Sequence, residues 1–570
     1  MRRVWLGLVG CFGALSIGAL ACGSDAIIRV TPDAQTGDET AVDTSAPDSS
    51  VPLCTAQGLT ALAFNAGPYG THRGDVSDDF ALPLMDGTSW SFNANFTGCE
   101  SYVFLPDNLA ISQIDPTPLW NSDADLAALV KQSPKNAHYF FVSLRKDPTA
   151  AAANLAAMQD RITKLKATLS DADQSQWSTH LHVVATHAQE LAAWMGAPMT
   201  TYLIGGFAID RLQKIRGVGN LADVKRYDKN LANQNMWPWK GNLAMTVNEV
   251  IYMNAEADES ARLSAETATV VELFKGETLS QFKETDVLLP SAQDMAKFDT
   301  LEIEITQMCP DPSKAEQDNN CGAWDYIASL SLAQPLSDGG MVDGGPVMQS
   351  TEVARFITSY HRETHWVVDA TETLPLLKAG GMQHFRWDFA PPWNVQPTAT
   401  KLSLRFSNQK KGLTPVQATP LFAGGSFDSK YDVRSPVSVP IAQGAKKVEL
   451  WAIITGHGSG NNNCAEFCNH HHDFTVNGTV FSKEYPMAGN DTGCIVAEKG
   501  GMTPNQGGTW WFGRGGWCPG APVQPWVTDV TKSVTPGQTA TVTYQGLFGG
   551  TPPSDGTGNI DMSSWLVVYQ

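Results

Sequence analysis

Eight cysteines after residue 50 constrain the fold of this chain more than any other feature of its sequence. They are Cys54, Cys99, Cys309, Cys321, Cys464, Cys468, Cys494 and Cys518. An even number of cysteines in an oxidising compartment indicates disulfides. Sequence proximity suggests the pairs 309–321 and 464–468, and elimination leaves 494–518 and 54–99. If all eight pair, no thiol remains to act as a nucleophile.

The N-terminus predicts export. Arg2 and Arg3 precede an apolar run from Val4 to Ala21, which is short for a membrane span and is followed by no stop-transfer pattern. The small residues before Cys22 resemble a bacterial lipoprotein signal, in which Cys22 becomes the lipidated first residue of an outer-membrane or cell-surface protein of a Gram-negative bacterium. An ordinary secretory signal cleaved nearby is the alternative, and it too exports the protein.

Length and charge limit the architecture and the partners. A chain of 570 residues is too long for one core, so several domains are expected. The formal net charge of −19 argues against nucleic acid as a partner. After the signal peptide (1–22), residues 23–53 carry few large apolar groups, which predicts a disordered tether.

Residues 54–245 alternate strand-like and helix-like stretches, which predicts an α/β domain. The runs 101–105 and 138–144 are short and apolar, as is typical of buried parallel strands. Asp147 and Pro148 suit the N-cap and the first position of a helix.

This order resembles a thioredoxin-like (redoxin) domain. The stretch 79–87 resembles the opening hairpin of redoxins, and 196–204 resembles the segment that carries their cis-proline, here Pro198. The Cys-x-x-Cys of redoxins should follow the strand that ends at Leu105, where this chain has Pro-Asp-Asn. A redox-inactive structural or docking domain is therefore expected.

From about residue 246 helical periodicity fades and short alternating strands appear, as in Leu301–Ile305. Many short strands with turn signals predict two all-β jelly-roll (sandwich) domains, 246–410 and 411–570. The chain is thus predicted to be a multidomain protein with one α/β thioredoxin-like domain followed by two all-β domains.

Two acidic residues adjoin the proposed short disulfide loops. Asp325 closely follows Cys321, at the exit of the loop that the pair 309–321 would staple. Glu466 lies inside the small ring that Cys464 and Cys468 would close, which stiffens its backbone. A stapled turn with a capping or surface carboxylate is the alternative at each position. Rigid carboxylates suit general acid–base chemistry.

A glycine- and tryptophan-rich stretch, 508–519, carries Arg514 and Trp517. Aromatic faces stack on sugars, and a guanidinium offers a fixed fork of donors to carbonyl or hydroxyl oxygens. A core corner with the arginine stacked on an indole is the alternative.

Three consecutive histidines, His470–His472, are typical of metal sites. Because successive residues of a strand point to opposite faces, at most two of the three can bind one ion. We expect neither a metal nor another cofactor.

Together these motifs resemble the peptide-N-glycosidase F family, whose members have two adjacent jelly rolls with the active site at their interface. The resemblance covers residues 265–570, with four pieces in family order. It implies that Asp325 is the principal catalytic residue, that Glu466 is the second essential carboxylate, and that Trp324, Arg514 and Trp517 contact substrate. The disulfides of the family fall on the pairs 309–321, 464–468 and 494–518, and Arg355–Thr358 matches a strand of the first jelly roll.

Four positions depart from the family pattern. Asp388 stands where the family has a catalytic Glu, so the resemblance implies a third catalytic residue with a shorter side chain. Tyr326, Ala390 and Phe467 replace an Arg and two Trp of the substrate-contact surface. These changes affect the expected glycan specificity more than the expected chemistry.

The resemblance implies an exported hydrolase that cleaves the glycosyl-asparagine amide of N-glycoproteins or glycopeptides, converting Asn to Asp and releasing a glycosylamine. Three alternatives stay open: a glycoside hydrolase, which also uses two carboxylates; a copper monooxygenase, which shares the paired jelly rolls; and a non-catalytic glycan-binding lipoprotein. We predict that Asp325 and Glu466 face one cleft between the β domains.

Overall fold

The computed structural model describes residues 53–56, 58–59, 61–107, 114–115, 119–191, 195, 206–223, 239–316, 320–322, 324–335, 341–342, 345–346, 348–394, 397–458, 464–554 and 556–570. The predicted signal peptide with Cys22, almost all of the tether, and Pro198 lie outside these residues. No helix within the described ranges is both long and apolar enough to cross a membrane.

The N-terminal part of the chain is an α/β domain. Its strands are β1 (Ala81–Pro83), β2 (Ser89–Ser91), β3 (Ser101–Pro106), β4 (Ile114–Asp115), β5 (Ala137–Ser143), β6 (Leu181–His187), β7 (Phe207–Ile209), β8 (Ile215–Gly217), β9 (Ala222–Asp223) and β10 (Trp239–Gly241). Its helices are α1 (Leu53–Ala56), α2 (Phe92–Asn95), α3 (Asp123–Gln132), α4 (Pro148–Lys166), α5 (Asp171–Ser178) and α6 (Thr246–Ala265), with short 3-10 turns at Ala188–Glu190 and Leu243–Met245.

The central sheet of this domain has the strand order β6-β5-β3-β7-β8. The strands β3, β5 and β6 run parallel, and β7 and β8 add an antiparallel hairpin. Every residue of β3 and β5 is buried, as expected of strands covered on both faces. Asp147 caps α4 by accepting a hydrogen bond from the Thr149 amide. The finer likeness to redoxins stays a prediction.

Helix α6 corrects the expectation that helical structure fades from residue 246. It continues for 20 residues and buries Val247, Val250 and Met253 in the core of the α/β domain. These residues recur at three-residue spacing, the period of a helix face. The domain therefore extends to Ala265, beyond the expected boundary at residue 245.

The first β-sandwich packs a four-stranded sheet, β11-β20-β13-β18, against a five-stranded sheet, β12-β19-β14-β17-β26. Its strands are β11 (Ala268–Leu279), β12 (Phe282–Ser291), β13 (Thr300–Met308), β14 (Ile327–Pro335), the short pair β15 (Met341–Val342) and β16 (Gly345–Pro346), β17 (Met348–Ile357), β18 (Thr364–Asp369), β19 (Gly380–Asp388) and β20 (Thr398–Ser407). Short helices are α7 (Ala292–Met295), α8 (Leu374–Leu377) and the 3-10 turn Thr371–Thr373.

The second β-sandwich packs two four-stranded sheets, β21-β29-β23-β27 and β22-β28-β24-β25. Its strands are β21 (Pro415–Ser426), β22 (Val437–Pro440), β23 (Lys447–His457), β24 (His470–Val476), β25 (Thr479–Glu484), β27 (Trp526–Asp529), β28 (Thr539–Phe548) and β29 (Asn559–Tyr569). The 3-10 turns Ile495–Gly500 and Thr531–Ser533 complete it. Between β25 and β27 in the sequence lies β26 (Ala521–Pro522), which belongs to the five-stranded sheet of the first sandwich.

The two sandwiches are joined directly. Strand β26 belongs to the second half of the sequence but pairs with β17 of the first sandwich. Arg355 of β17 donates hydrogen bonds to Thr455 Oγ1 (2.7 Å) and to the Asp561 carbonyl (2.7 Å), both in the second sandwich. A separate buried cluster that includes Ile357 and Trp451 fills the space between them.

All four expected disulfides are confirmed. They join Cys54 to Cys99, Cys309 to Cys321, Cys464 to Cys468, and Cys494 to Cys518.

Candidate active site

Asp325 and Glu466 meet at the guanidinium of Arg514. Asp325 immediately precedes the β14 region of the first sandwich, whereas Glu466 lies in the loop between β23 and β24 of the second. Arg514 Nη2 is 3.4 Å from Asp325 Oδ2, and Arg514 Nε is 3.4 Å from Glu466 Oε1. The two carboxylates thus face one interface between the β domains, as predicted.

The backbone holds Glu466 tightly. The Cys464–Cys468 disulfide closes a loop around it, and its carbonyl accepts a hydrogen bond from the Gly515 amide at 2.7 Å. A Cβ at position 515 would lie 2.4 Å from the Ala465 carbonyl oxygen, so only glycine permits this approach. The loop with Glu466 and the segment with Arg514 are therefore fixed to each other.

Arg514 holds the site together and does not offer a free fork to a substrate. Its side chain is 0% exposed. Nη1 donates to the carbonyls of Thr509 (3.0 Å) and Phe512 (2.8 Å), and Nη2 donates to Thr509 Oγ1 (2.9 Å) as well as to Asp325. Arg514 Nε lies beside Glu466 without a hydrogen-bond partner among the described residues, and the expected contact of Arg514 with substrate stays a prediction.

Both carboxyl groups are harder to ionise than in water. Burial raises the pKa of Asp325, and the charge of Arg514 opposes this rise. Burial also raises the pKa of Glu466, against the pull of Arg514 and with a contribution from the negative charge of Asp325. Carboxyls with raised pKa values suit proton transfer near neutral pH, since their basicity is closer to that of the working solution.

Tyr360 and Thr509 complete the surroundings of Asp325, and sequence reasoning did not find them. Tyr360 lies close enough to Asp325 for each group to shift the pKa of the other, and its ring packs edge-on against Trp324. Burial, and then the Asp325 charge, raise the pKa of Tyr360, so this hydroxyl keeps its proton. The one available signal was the position of Tyr360 just after the strand that contains Arg355–Thr358.

The tryptophans of the site differ in their accessibility. Trp517 is buried: its indole donates to the Gly456 carbonyl (2.8 Å), its ring stacks with His457, and Arg514 lies over it. Trp517 is thus only 6% exposed, and the expected sugar contact at this residue stays a prediction. Trp324 is 46% exposed beside Asp325 and packs edge-on against Tyr360, so it retains a surface on which a sugar can stack.

Asp388 lies at the end of β19, opposite Ser329 of β14. Its two carboxylate oxygens accept hydrogen bonds from Arg386, at 2.7 and 2.8 Å. Within the described part of the chain, no hydrogen bond or ion pair joins Asp388 to Asp325. Its catalytic role stays a prediction.

The substituted positions of the contact surface have structural partners. Tyr326 accepts a hydrogen bond at its hydroxyl from Asn394 (2.8 Å), and Ala390 packs against the core of the first sandwich. Phe467 lies beside the Arg514 guanidinium, 4.9 Å from ring centre to Cζ. The change from Trp to Phe therefore keeps an aromatic ring against the arginine.

The histidine cluster lies within β24. His470 and His472 face the core and His471 faces outward, in the predicted alternation. His472 uses both ring nitrogens in hydrogen bonds, to His470 (2.5 Å) and to the Tyr544 hydroxyl (2.6 Å). Burial lowers the pKa of His470 to about 4, so its ring is neutral at ordinary pH.

A second group of possible metal ligands lies in the α/β domain. Ligand atoms of Glu100, His138 and His180 lie within 4.8 Å of one another. The two imidazole rings stack 4.1 Å apart at 20°. Glu100 Oε1 lies 3.1 Å from both Nε2 atoms, so the group is a buried polar cluster.

Two cavities, of about 210 and 380 Å³, flank helix α6 and are lined by residues such as Glu256 and His365. Neither is lined by Asp325, Glu466 or Arg514. The candidate site is therefore defined by its chemistry and not by cavity size.

These features define a class of protein: a paired β-sandwich protein with an interface site of two carboxylates around one buried arginine. Residues 427–567 match the sequence family described as peptide-N-glycosidase F, C terminal. Over 315 residues the chain is 21% identical to peptide-N(4)-(N-acetyl-beta-D-glucosaminyl)asparagine amidase F of Elizabethkingia miricola, which covers 51% of this chain and 79% of that protein. The second β-sandwich is therefore similar in sequence to the C-terminal domain of the peptide-N-glycosidase F family.

Solved structures of similar proteins include PNGase F, a glycosylasparaginase from Flavobacterium meningosepticum. It shares 18% identity, covers 53% of this chain and 96% of its own, and gives a TM-score of 0.41. A crystal structure of peptide-N(4)-(N-acetyl-beta-D-glucosaminyl)asparagine amidase at 2.2 Å resolution gives 19% identity, the same coverage and a TM-score of 0.42. Superpositions at this level define no fold by themselves.

Proposed function

We propose that this protein is a glycoamidase that hydrolyses the amide between an asparagine side chain and its N-linked glycan. The observation that supports this most is the pair of partly buried carboxyls, Asp325 and Glu466, held 3.4 Å from one buried guanidinium at the junction of the two sandwiches. The curated relative is an asparagine amidase by name, and amide hydrolysis needs an activated water and a polarised carbonyl.

In this proposal Asp325 is the general base. It takes a proton from a water molecule, whose oxygen attacks the amide carbonyl carbon. The bond between that carbon and the amide nitrogen then breaks, and the proton passes to the leaving nitrogen. The products are an aspartate in the peptide and a glycosylamine. The Tyr360 hydroxyl, which keeps its proton because its pKa is raised by burial and by the Asp325 charge, is a neighbouring donor for the Asp325 carboxyl in this proposal.

Glu466 is proposed to act on the carbonyl oxygen. The raised pKa of its carboxyl favours the protonated form, which donates a hydrogen bond to the oxygen as negative charge develops there. Two carboxyls around one cation can share a single proton, so one group acts as base while the other acts as donor. Asp388 is retained as a third candidate catalytic residue.

Substrate binding is assigned to Trp324, whose exposed ring is suited to stacking on the sugar next to the asparagine. Tyr326, Ala390 and Phe467 stand where the resemblance expects other contacts, so the accepted glycans are expected to differ from those of the curated relative. Substrates are glycoproteins or glycopeptides; nucleic acid is not among the proposed partners.

Product analysis on a defined N-glycopeptide tests the function. Amide hydrolysis converts Asn to Asp, a mass increase of about 1 Da in the peptide, whereas a glycoside hydrolase leaves Asn with a sugar attached. Asp325→Asn and Glu466→Gln should each lose about 100-fold or more in kcat. Asp286→Asn, an acid on the outer face of the first sandwich, is the matched control and should retain activity.

Other outcomes would replace the proposal. Binding of the glycopeptide without any release of glycan by the wild-type protein would identify a glycan-binding lipoprotein. Oxygen-dependent activity abolished by a copper chelator would identify a monooxygenase.

We also propose that the protein is exported and anchored in the outer membrane through lipid on Cys22. Cys22→Ser should release the protein from the membrane fraction of the producing cells. Membrane association that survives this substitution would contradict lipidation.

A further inference from the structure

Arg362 lies at the meeting point of the α/β domain and both sandwiches. It immediately follows the turn that carries Tyr360. Its guanidinium donates to Glu249 Oε1 of α6 (2.5 Å), to the Pro504 carbonyl (2.7 Å), to the Gly217 carbonyl of β8 (3.1 Å) and to Glu316 Oε2 (3.2 Å). The side chains of Arg362 and Glu249 are 6% and 1% exposed. Arg362 is therefore a buried cation whose nitrogen atoms all donate hydrogen bonds within the protein, and it is not part of a surface ion pair.

The partners of Arg362 belong to the segments that carry the candidate site. Glu316 lies in the loop stapled by Cys309 and Cys321, which leads into Asp325. Pro504 begins the segment that leads through Thr509 to Arg514. Glu249 and Gly217 belong to the α/β domain, so one guanidinium ties that domain to both walls of the site.

A second set of contacts, which shares Glu249 with the first, repeats this connection. Asn505 is completely buried and donates from Nδ2 to the Met245 carbonyl (2.9 Å) and to Glu249 Oε1 (2.9 Å). Its own carbonyl accepts a hydrogen bond from the Asn220 amide (2.5 Å). The next residue, Gln506, accepts a hydrogen bond at Oε1 from the Tyr360 amide (2.8 Å). The α/β domain thus contacts the segment that positions Tyr360.

We propose that the α/β domain is a positioning element of the active site. Through Arg362, Glu249 and Asn505 it fixes the segments of Tyr360 and Arg514 relative to Asp325. This inference rests on the proposed glycoamidase function and adds a role for a domain that lies outside the matched β domains. Arg362 and Glu249 are positioning residues: they touch the segments that hold the site and not the reacting atoms.

Kinetics of matched variants test the proposal. Glu249→Gln removes the charge that pairs with Arg362 while keeping the shape of the side chain. It should lower kcat about 10- to 100-fold, the effect expected of a displacement of about 1 Å, with KM within about twofold because the exposed surface at Trp324 is untouched. Glu256→Gln is the control: Glu256 lies on the same helix and pairs with Arg216 (2.5 Å), inside the α/β domain, so its kcat should be unchanged.

Conservative replacement separates positioning from general stability. Arg362→Lys keeps the charge and should retain more kcat than Arg362→Met at equal thermal stability, whereas a merely structural role predicts that activity follows the melting temperature. If Glu249→Gln does not fold, Arg362→Lys against Glu256→Gln makes the same comparison. A folded Glu249→Gln protein with wild-type kcat would overturn the proposal.

Hydrogen exchange makes the test independent of the reaction. Amides of residues 359–362 and 503–514 should exchange about 10-fold faster or more in Glu249→Gln than in Glu256→Gln. Unchanged exchange in these segments would refute the positioning role even if the enzyme is active. Faster exchange in a protein that cleaves no glycopeptide would instead support the positioning role and contradict the proposed function.

Discussion

Removing the Arg514 cation should shift the acid limb of the pH–activity profile to higher pH. In Arg514→Met, Asp325 and Glu466 lose the positive charge that lies 3.4 Å from each of them. Because that charge lowers the pKa of both carboxyls, against the effect of burial, its removal makes both groups ionise at higher pH. An enzyme that needs ionised Asp325 then requires a more alkaline solution.

The size of the effect follows from the geometry. At 3.4 Å and an effective dielectric constant of about 20, one ion pair is worth about 5 kcal/mol. The carboxylate side chains are 19% and 20% exposed, so water screens part of this interaction. We expect the acid limb of the kcat/KM profile to move upward by about one to two pH units. The loss of folding free energy, about 3–5 kcal/mol for a broken buried pair, is a separate effect.

The assay is release of glycan from a defined glycopeptide between about pH 4 and pH 9, with folding monitored by thermal melting. Arg405→Met is the matched control, since Arg405 is also a largely buried guanidinium beside two carboxylates, Glu304 and Glu266, which are not residues of the candidate site. It should lose stability without moving the acid limb. An acid limb that stays in place in Arg514→Met, or moves to lower pH, would refute the electrostatic role of Arg514.

Two further predictions concern stability. Burial, reinforced by the nearby Glu249 charge, raises the pKa of Glu498 to about 8. The stability that depends on its bound proton is fully present below the usual pKa of about 4.5 and is lost as pH rises through about 8. In urea unfolding, Glu498→Gln should therefore be more stable than wild type by up to about 5 kcal/mol near pH 9 and should differ little near pH 4. Equal gains at both pH values would contradict this linkage. Replacing Cys464 and Cys468, which are 4 residues apart, by Ser should lower the free energy of unfolding by about 2 kcal/mol and should also lower kcat. The same replacement at Cys54 and Cys99, which are 45 residues apart, should lower the free energy of unfolding by about 4 kcal/mol and leave kcat unchanged. Equal effects of both double variants on kcat would contradict the local role of the small ring.

The sequence allowed prediction of those parts of the site that local patterns encode. Cysteine spacing and elimination indicated the four disulfides, and the resemblance to the peptide-N-glycosidase F family implied that Asp325 and Glu466 share one interface. The surroundings of Arg514 and Trp517 were less accessible, because a sequence does not say whether an arginine points outward or donates inside the protein, as Arg514 does to Thr509 and Phe512.

The remaining parts depend on contacts between distant segments. Tyr360 reaches Asp325 across a strand end, and Arg362 reaches Glu249 over more than a hundred residues of sequence. Charged residues such as these look like solvated surface residues in a sequence. Helix α6 was missed for a related reason, since its exposed side, with residues such as Glu259 and Arg262, obscures the apolar spacing of Val247, Val250 and Met253.

The pairing of β26 with β17 limits where the chain can be truncated without disrupting the fold. Residues 427–567, the part that matches the sequence family, contribute a strand to a sheet that they do not otherwise contain. Expressed alone, this segment would expose the strand edge of Ala521–Pro522 and the apolar face that includes Trp451, both of which invite aggregation. The segment that matches the sequence family is therefore shorter than the part of the chain that folds as one unit, and truncated versions of the protein should keep both sandwiches.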